Sequence, residues 1–397
     1  MIRGKGALLF VLVLAAIAVY LSVPGCSPEA RGAQGAPALD DAEIGRLVRE
    51  AVDAYLDLLD LDPREAIFSV NTSVSQGVVT LSGETSEESL KEGLLGRLGE
   101  ISGITLADEL EVLPSPSMGE KVFGIVKVPV VDLGDGPRSS GGSHTVTQAR
   151  MGDIVKLLKE KDGWFLVQMH DGYLGWVGPE SIHRASGEEV QSIRTGRAAL
   201  VVAKTAHAYS EPGGEPLFPK ALVQGSVLPL LAEEGGWVKV GLPGGPAAWM
   251  ESSGVMVFED MDSVFSEEKG VHAVIETAKQ YLGLPYLWGG TTAYGFDCSG
   301  FTQFVMRMNG YFLRRDADMQ FEQGEEVPSR DELQPGDLVF FETYKKGPSH
   351  VGIYIGDSQY IQSGSQTGVS IQSFNPDHPN YMERLDKAYL GARRIIK

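Results

Sequence analysis

Two residue classes are scarce in this chain: cysteine, and the basic residues lysine and arginine. Only two cysteines occur in 397 residues, and 34 Lys and Arg stand against 53 Asp and Glu, a net charge of −19. This balance excludes the basic stripe that nucleic-acid phosphates require, and it makes anionic membrane surfaces poor partners for the folded part. No grouping of His, Asp and Glu has the spacing of metal ligands. We therefore expect no nucleic acid, no metal and no cofactor.

The first 26 residues have the features of a targeting segment. Arg3 and Lys5 precede an apolar run over residues 7–23, which ends in Pro24, Gly25 and Cys26. This pattern resembles a bacterial lipoprotein signal, although Pro24 departs from the residue usual at its position. The resemblance implies a signal peptide over 1–26, lipidation of Cys26, and a protein anchored to a membrane on the periplasmic side of the cell envelope. The alternative is an uncleaved anchor helix, because the apolar run is at the short end of a membrane span.

Cys298 has the features of a nucleophile. If Cys26 is lipidated, Cys298 has no disulfide partner in the chain, and an idle exported thiol is a liability. Asp297 is a good N-cap residue, and Cys298 begins an apolar-periodic run with helical spacing (Phe301, Phe304, Val305 and Met308). The first turn of a helix stabilises an anion. The sequence therefore predicts a thiolate near neutral pH; the alternative is a buried structural cysteine.

A thiolate needs a general base, and His350 is the best candidate among seven histidines. His350 opens a predicted strand, and a turn over residues 356–358 leads into the strand that returns. A three-residue turn places Gly352 opposite Gln362, so that His350 and Gln362 share one face of adjacent strands. Gln362 can then accept a hydrogen bond from the imidazole and fix its tautomer. The alternative for Gln362 is an ordinary polar strand residue.

The part of the chain before Cys298 is organised in several domains. Residues 27–38 form a tether. Residues 40–114 are predicted to form a helix, two strands, a second helix and a third strand, with the motif GVVTLSG at 77–83. This segment resembles a BON domain, which implies contact with phospholipid or another envelope surface; a spacer is the alternative. We expect this domain to be dispensable for turnover of soluble peptides.

A repeat with an offset of 73 residues follows. Gly152, Trp164 and Trp176 recur as Gly225, Trp237 and Trp249, with short alternating strands between glycine turns. Residues 120–187 and 195–260 therefore resemble two bacterial SH3-like β-barrels. We expect the four tryptophans, Trp164, Trp176, Trp237 and Trp249, to be core residues.

Residues 265–397 resemble the NlpC-type cell-wall peptidases of the papain-like superfamily. The matching motifs are PYLWGG at 285–290, GFDCSG at 295–300, LQPGD at 333–337, HVGIY at 350–354 and Ile361-Gln362. The resemblance implies a papain-like α+β domain within a multidomain α+β protein. It implies Cys298 as nucleophile, His350 as base and Gln362 as third residue. Asp297, Ser299 and Tyr286 match positions that bind substrate.

The same resemblance implies a substrate. The family cleaves the γ-D-glutamyl–diamino acid bond of peptidoglycan stem peptides, so peptidoglycan or its peptides are the implied partner. Some relatives use a preceding SH3-like barrel to wall off the cleft and require a free N-terminal L-alanine; Tyr173 and Tyr209 are both candidates for that contact. The short linker over 259–263 favours the second barrel as the wall. The alternatives are an amidase or acyltransferase of the same superfold, and a non-catalytic envelope-binding lipoprotein.

Overall fold

The computed structural model describes residues 39–397. The predicted signal segment and Cys26 lie outside the described residues. Within residues 39–397, no helix combines the length and the apolar character needed to cross a membrane. The described elements form four modules, which we name by their order along the chain.

The N-terminal module packs two helices on a three-stranded sheet. Its elements are α1 (Asp41–Leu56), β1 (Phe68–Ser75), β2 (Val78–Thr85), α2 (Glu88–Leu98) and β3 (Thr105–Val112). Strand β2 lies in the centre, antiparallel to β1 and parallel to β3. Helix α1 begins at the N-cap Asp40 and buries Ile44, Val48 and Val52 at helical spacing against Val79 and Leu81. The predicted order of helix, two strands, helix and strand is observed.

The first β module is a seven-stranded antiparallel sheet followed by a short helix. Its elements are β4 (Phe123–Val126), β5 (Val130–Gly134), β6 (Thr145–Arg150), β7 (Ile154–Lys161), β8 (Trp164–Gln168), β9 (Leu174–Val177), β10 (Ile182–Ala185) and α3 (Gly187–Arg194). The strand order is β10-β4-β7-β8-β9-β5-β6. Strand β6 therefore lies at one edge of this sheet, where it is available to contact another module.

The second β module contains the second copy of the repeat. Its strands are β11 (Ala198–Val201), β12 (Thr205–Ala206), β13 (Leu222–Val223), β14 (Val227–Glu234), β15 (Trp237–Gly241), β16 (Ala247–Glu251) and β17 (Val255–Phe258), with a main sheet of order β16-β15-β14-β11-β17. The prediction that the four repeated tryptophans are core residues is wrong, since Trp164, Trp176, Trp237 and Trp249 are all partly exposed. Smaller side chains such as Val238, Val240 and Leu228 fill the core instead.

The C-terminal module packs helices on both faces of a six-stranded antiparallel sheet. Its elements are α4 (Val271–Lys279), β18 (Thr291–Thr292), β19 (Gly295–Phe296), α5 (Cys298–Arg307), α6 (Ala317–Phe321), β20 (Glu325–Val327), β21 (Leu338–Phe341), β22 (His350–Gly356), β23 (Gln359–Gly364), β24 (Gly368–Ser373), α7 (Glu383–Lys387) and β25 (Tyr389–Arg394). The sheet order is β20-β25-β21-β22-β23-β24.

Side chains alternate between the two faces of the central sheet, and so the C-terminal module has two separate apolar layers. Leu338 and Phe340 of β21 pack with helix α5, whereas Val339 and Phe341 pack with Leu385 of α7. Helix α5 is buried from Cys298 through Met306. The helix that carries the cysteine is thus fixed between the sheet and the first β module.

Candidate active site

Cys298 is the first residue of helix α5. Asp297 is the N-cap residue, and its Oδ1 accepts a hydrogen bond from the backbone N–H of Gly300 at 2.6 Å. Cys298 is 7 % exposed and is the one cysteine among residues 39–397; it forms no disulfide. The local prediction of an Asp N-cap followed by a cysteine in the first turn is observed.

The predicted thiolate near neutral pH is not what the structure supports. Burial raises the pKa of Cys298 to about 12, and the neighbouring Asp297 carboxylate acts in the same direction. Backbone N–H groups of Val351 and Ser299 and the charge of Arg315 oppose this rise without cancelling it. The start of helix α5 favours the anion, but removal of the sulfur from water has the larger effect on its pKa. Burial therefore favours the neutral thiol over the thiolate.

His350 opens strand β22, and its relation to Gln362 follows from the register of the sheet. Gly352 of β22 faces Gln362 of β23, as predicted. The connection is a two-residue turn, Asp357-Ser358, with both residues at positive φ, and a bulge between Tyr354 and Gly356 restores the predicted register. His350 and Gln362 therefore lie on the same face of neighbouring strands.

Gly364 leaves room for the Gln362 side chain. A Cβ at Gly364 would lie 2.7 Å from Gln362 Oε1 and 2.9 Å from Nε2, so a larger residue would displace the end of the Gln362 side chain. Gln362 Nε2 donates to Thr367 Oγ1 at 3.2 Å and to Ser370 Oγ at 3.1 Å. These bonds leave Oε1 as the free acceptor; it is buried without a hydrogen bond, and so is His350 Nε2.

Burial favours the neutral form of the His350 imidazole. Burial lowers the pKa of His350 to about 4, and Gln362 opposes part of this change. The nearby positive charge of Arg384 adds to the lowering. With a neutral thiol and a neutral imidazole, the site holds its proton on sulfur and has an acceptor nitrogen available on His350.

Arg315 completes the site, and sequence reasoning missed it. Its guanidinium is 1 % exposed and donates to both oxygens of Asp297, at 3.2 and 2.6 Å, and to Ser299 Oγ at 3.0 Å. The Nε atom donates to Thr147 Oγ1 of strand β6 at 3.1 Å. The predicted substrate residues Asp297 and Ser299 are thus tied to each other through a buried cation. No spacing rule links Arg315 to the cysteine motif, so the sequence carried no signal for it.

Two hollows meet at Cys298, and Tyr286 lines both. The His350 hollow is bordered by His350, Gln362 and the segments around Thr367 and Arg384. The Tyr173 hollow has a volume of about 370 Å³ and is bordered by Asp297, Ser299, Tyr173 and Asp316, among others. All six predicted site residues of the C-terminal module, namely Cys298, His350, Gln362, Asp297, Ser299 and Tyr286, therefore border one continuous cleft.

The first β module, not the second, forms a wall of this cleft. Thr145 of β6 borders the Tyr173 hollow, and a Cβ at Gly289 would lie 2.6 Å from Thr145 Cγ2 and from its carbonyl oxygen. Gln148 Oε1 accepts from the Thr291 backbone N–H and from Thr292 Oγ1, both at 3.1 Å. The expectation that a short linker brings the second module to the cleft is wrong, because linker length does not determine which face of a module docks.

The position of the two candidate tyrosines follows from this docking. Tyr173 borders the cleft and its hydroxyl donates to Asp316 Oδ2 at 2.9 Å. Tyr209 packs edge-to-face on Trp237 within the second β module, with ring centroids 5.6 Å apart, and borders neither hollow. The structure thus places Tyr173, and not Tyr209, at the site.

Comparison with known proteins agrees with this geometry. Residues 283–388 match the NlpC/P60 family, and residues 138–182 match the bacterial dipeptidyl-peptidase SH3 domain. The first segment holds the cysteine motif and both strands of the His350–Gln362 pair. The second lies within the first β module and includes Thr145 and Tyr173. Both segments therefore contribute side chains to the cleft.

Relatives resemble this chain over more than the peptidase segment. A γ-D-glutamyl-L-lysine dipeptidyl-peptidase of Bacillus cereus is 32 % identical over 63 % of this chain and 75 % of its own length. A protein of the same name from Bacillus subtilis is 34 % identical over 57 % of this chain and 74 % of its own. A crystal structure of an NlpC/P60 protein from Bacillus cereus superposes with a TM-score of 0.60 at 27 % identity, over 69 % of this chain and all of that one. The chain belongs to the NlpC/P60 family of cysteine peptidases, with a bacterial SH3 domain preceding the peptidase.

Proposed function

We propose that this protein hydrolyses the γ-D-glutamyl–diamino acid bond of peptidoglycan stem peptides. The observation that carries the proposal is the convergence of Cys298, His350 and Gln362 on a cleft whose other wall is an SH3 domain. Two relatives that match 63 % and 57 % of this chain are named γ-D-glutamyl-L-lysine dipeptidyl-peptidases. A dipeptidyl-peptidase releases a dipeptide from the amino terminus, so the substrate of this chain would begin with a free amine.

The neutral resting pair defines the first step. If His350 Nε2 carries its proton toward the free Oε1 of Gln362, the other ring nitrogen is the acceptor that takes the proton of the Cys298 thiol. The sulfur then attacks the γ-carbonyl carbon, and the tetrahedral intermediate collapses as His350 returns the proton to the leaving amine. Water, deprotonated by His350, hydrolyses the thioester and restores the thiol. Gln362 acts through the imidazole and is a positioning residue.

The Tyr173 hollow is the side of the cleft that we assign to the amino-terminal dipeptide. Its volume suits a small peptide, and its carboxylate Asp316 is held by Tyr173 where a terminal ammonium would bind. Asp297 and Ser299 are fixed by Arg315 between that ammonium site and the sulfur. Tyr286 borders both hollows and would lie against the scissile bond. The diamino acid then occupies the His350 hollow.

We propose further that the protein is exported and held at a membrane of the cell envelope by lipid on Cys26. The basic n-region, the apolar run and Gly25-Cys26 support this proposal. Loss of fatty-acid labelling in Cys26→Ala would support it; an unlabelled protein that still fractionates with membranes would favour the uncleaved anchor. The N-terminal module is proposed to be BON-like and to contact phospholipid or another envelope surface; absence of vesicle binding by residues 27–397, which lack Cys26 and its lipid, would contradict contact with phospholipid.

The function is tested by the bond that is cut. We expect the peptide L-Ala-γ-D-Glu-L-Lys or its diaminopimelate counterpart to yield L-Ala-D-Glu and the diamino acid, identified by mass spectrometry. The isomer with an α-linked glutamate is the matched control and should remain intact. Cleavage of the L-Ala–D-Glu bond, acylation without hydrolysis, or no reaction would overturn the proposed function in favour of an amidase, an acyltransferase or a binding lipoprotein, respectively.

A further inference from the structure

The N-terminal module contributes a side chain to the Tyr173 hollow. Arg64 lies in the connection between α1 and β1, far from the cysteine motif in sequence, yet it borders the same hollow as Cys298, Tyr173 and Asp316. Its side chain is 31 % exposed. The expectation that residues 40–114 are dispensable for turnover assumed that the site is confined to other modules. That assumption is wrong for the Tyr173 hollow.

The Arg64 segment is docked by contacts on either side of the arginine. The Leu174 backbone N–H donates to the Arg64 carbonyl at 2.7 Å, and Gln168 Nε2 donates to the Glu65 carbonyl at 2.9 Å. Arg314 of the C-terminal module holds the Glu65 carboxylate in a bidentate pair, at 3.0 and 2.8 Å. The segment is therefore fixed to both the first β module and the C-terminal module, and the direction of Arg64 is set by the fold.

The Arg64 guanidinium is directed at the carboxylates of the hollow. One terminal nitrogen donates to Asp316 Oδ2 at 2.7 Å and to Asp318 Oδ1 at 3.0 Å, while Nε and the other terminal nitrogen bind Asp62 at 2.9 and 2.6 Å. The Asp316 oxygen that accepts from Arg64 is the one that accepts from the Tyr173 hydroxyl. A cation from the chain itself thus lies on the carboxylate assigned to the substrate ammonium.

The local charge indicates the effect of this cation. Salt bridges connect five carboxylates (Asp62, Glu65, Asp316, Asp318 and Glu322) with three cations (Arg64, Arg314 and Lys345), so the cluster keeps two net negative charges. Without Arg64 the cluster would carry three, and a bound ammonium would lose a like-charged neighbour. Tyr173 would still hold Asp316 in place.

We propose that Arg64 is a specificity-determining residue that competes with the substrate's terminal ammonium for Asp316. The proposal rests on the proposed function, since it assumes that peptides with a free amine bind in the Tyr173 hollow. It gives the N-terminal module a part in substrate selection: by neutralising Asp316 and Asp318, the module weakens the preference of the cleft for a free amine over an acylated terminus. Any movement of the module that withdraws Arg64 would restore that preference.

The test compares Arg64→Gln with wild-type protein on two peptides, L-Ala-γ-D-Glu-L-Lys and its N-acetylated form. We expect Arg64→Gln to lower KM for the free-amine peptide roughly three- to tenfold, the order for one partly exposed charge, and to leave the acetylated peptide unaffected. Arg64→Lys keeps the charge and should stay near wild type. Arg46→Gln is the matched control, because Arg46 forms an exposed ion pair with Glu50 on α1 of the same module.

An unchanged or raised KM for the free-amine peptide in Arg64→Gln would overturn the proposal; a raised KM would mean that Arg64 supports Asp316 rather than competes at it. Calorimetric binding of the dipeptide L-Ala-D-Glu to each variant in a Cys298→Ala background repeats the comparison without turnover. The dipeptide could bind more tightly to Arg64→Gln although the protein with Cys298 intact does not cleave the γ-bond. That result would support the competition at Asp316 and refute the proposed function. Absence of dipeptide binding in every variant would overturn both.

Discussion

Arg315 and Asp297 form a bidentate ion pair, with nitrogen–oxygen distances of 3.2 and 2.6 Å, immediately before the nucleophile. The pair connects two modules at one point: Asp297 caps α5 of the C-terminal module, and Arg315 also binds Thr147 of the first β module. Loss of one partner would leave a buried charge uncompensated. The orientation of Cys298 therefore depends on an arginine that lies outside the cysteine motif.

Arg315→Met should destabilise the protein by about 3–5 kcal/mol, because it leaves the buried Asp297 carboxylate without a cationic partner. The free energy of unfolding in urea measures this change. Arg46→Met, which removes an exposed ion pair, is the control and should cost less than about 1 kcal/mol. Equal effects of the two substitutions would contradict the importance assigned to the buried pair.

Gln362→Ala should lower kcat roughly tenfold to a hundredfold, because the imidazole loses the acceptor that selects its tautomer. Gln362→His should retain activity, since a ring nitrogen of histidine can also accept a hydrogen bond from the His350 imidazole. Gln372→Ala provides the control: Gln372 is also buried and donates to Ser370, but it lies on β24, which does not pair with the strand of His350. A wild-type kcat for Gln362→Ala would show that Gln362 is not the residue that orients His350.

The lowered pKa of His350 predicts a pH dependence of stability. Its pKa is about 4 in the folded protein against 6.5 in the unfolded chain, so the unfolded chain binds more protons between these values. The stabilisation is complete above pH 6.5 and is lost as the pH falls toward 4. At pH 5 the loss is about 2 kcal/mol.

The measurement compares urea unfolding at pH 7 and pH 5 for wild-type protein, His350→Gln and the exposed-site control His272→Gln. Wild type and His272→Gln should lose about 2 kcal/mol more between the two pH values than His350→Gln, which has no proton to take up. The same loss in all three proteins would show that His350 is not buried as a neutral base.

Tyr173→Phe should raise KM for free-amine peptides roughly three- to tenfold, the order for one hydrogen bond. The reason is that Asp316 loses the hydrogen bond from the uncharged Tyr173 hydroxyl. Tyr209→Phe is the matched control and should leave KM unchanged, since Tyr209 lies in the second β module away from both hollows. The opposite ranking of the two variants would mean that the substrate amine is recognised elsewhere. The expected sign is also opposite to that for Arg64→Gln.

The sequence was sufficient for features that depend on near neighbours or on strand register. Asp297 and Cys298 begin a helix because an N-cap residue precedes a periodic apolar run, and Gly352 faces Gln362 because a short turn joins two alternating strands. The C-terminal motifs identified the family correctly. These inferences needed no knowledge of how the modules dock.

Contacts between modules could not be predicted in the same way. Tyr173 meets Asp316 across 143 residues, and Arg64 meets it across 252. Nothing in spacing or periodicity links such residues, because the docking faces are determined only when the modules pack. The burial of Cys298 could not be foreseen for a related reason: the helix dipole is local and visible in sequence, whereas the burial that raises the pKa of the thiol arises from the assembled cleft.

Release of L-Ala-D-Glu from L-Ala-γ-D-Glu-L-Lys by wild-type protein and by Cys298→Ala tests the central claim most directly. The claim is that Cys298 is the nucleophile of a γ-D-glutamyl peptidase. Wild type should release the dipeptide, Cys298→Ala should release none while unfolding at nearly the wild-type urea concentration, and Cys298→Ser should be almost as inactive because a hydroxyl is far less ionised than a thiol. Dipeptide release by Cys298→Ala at the wild-type rate would contradict the claim.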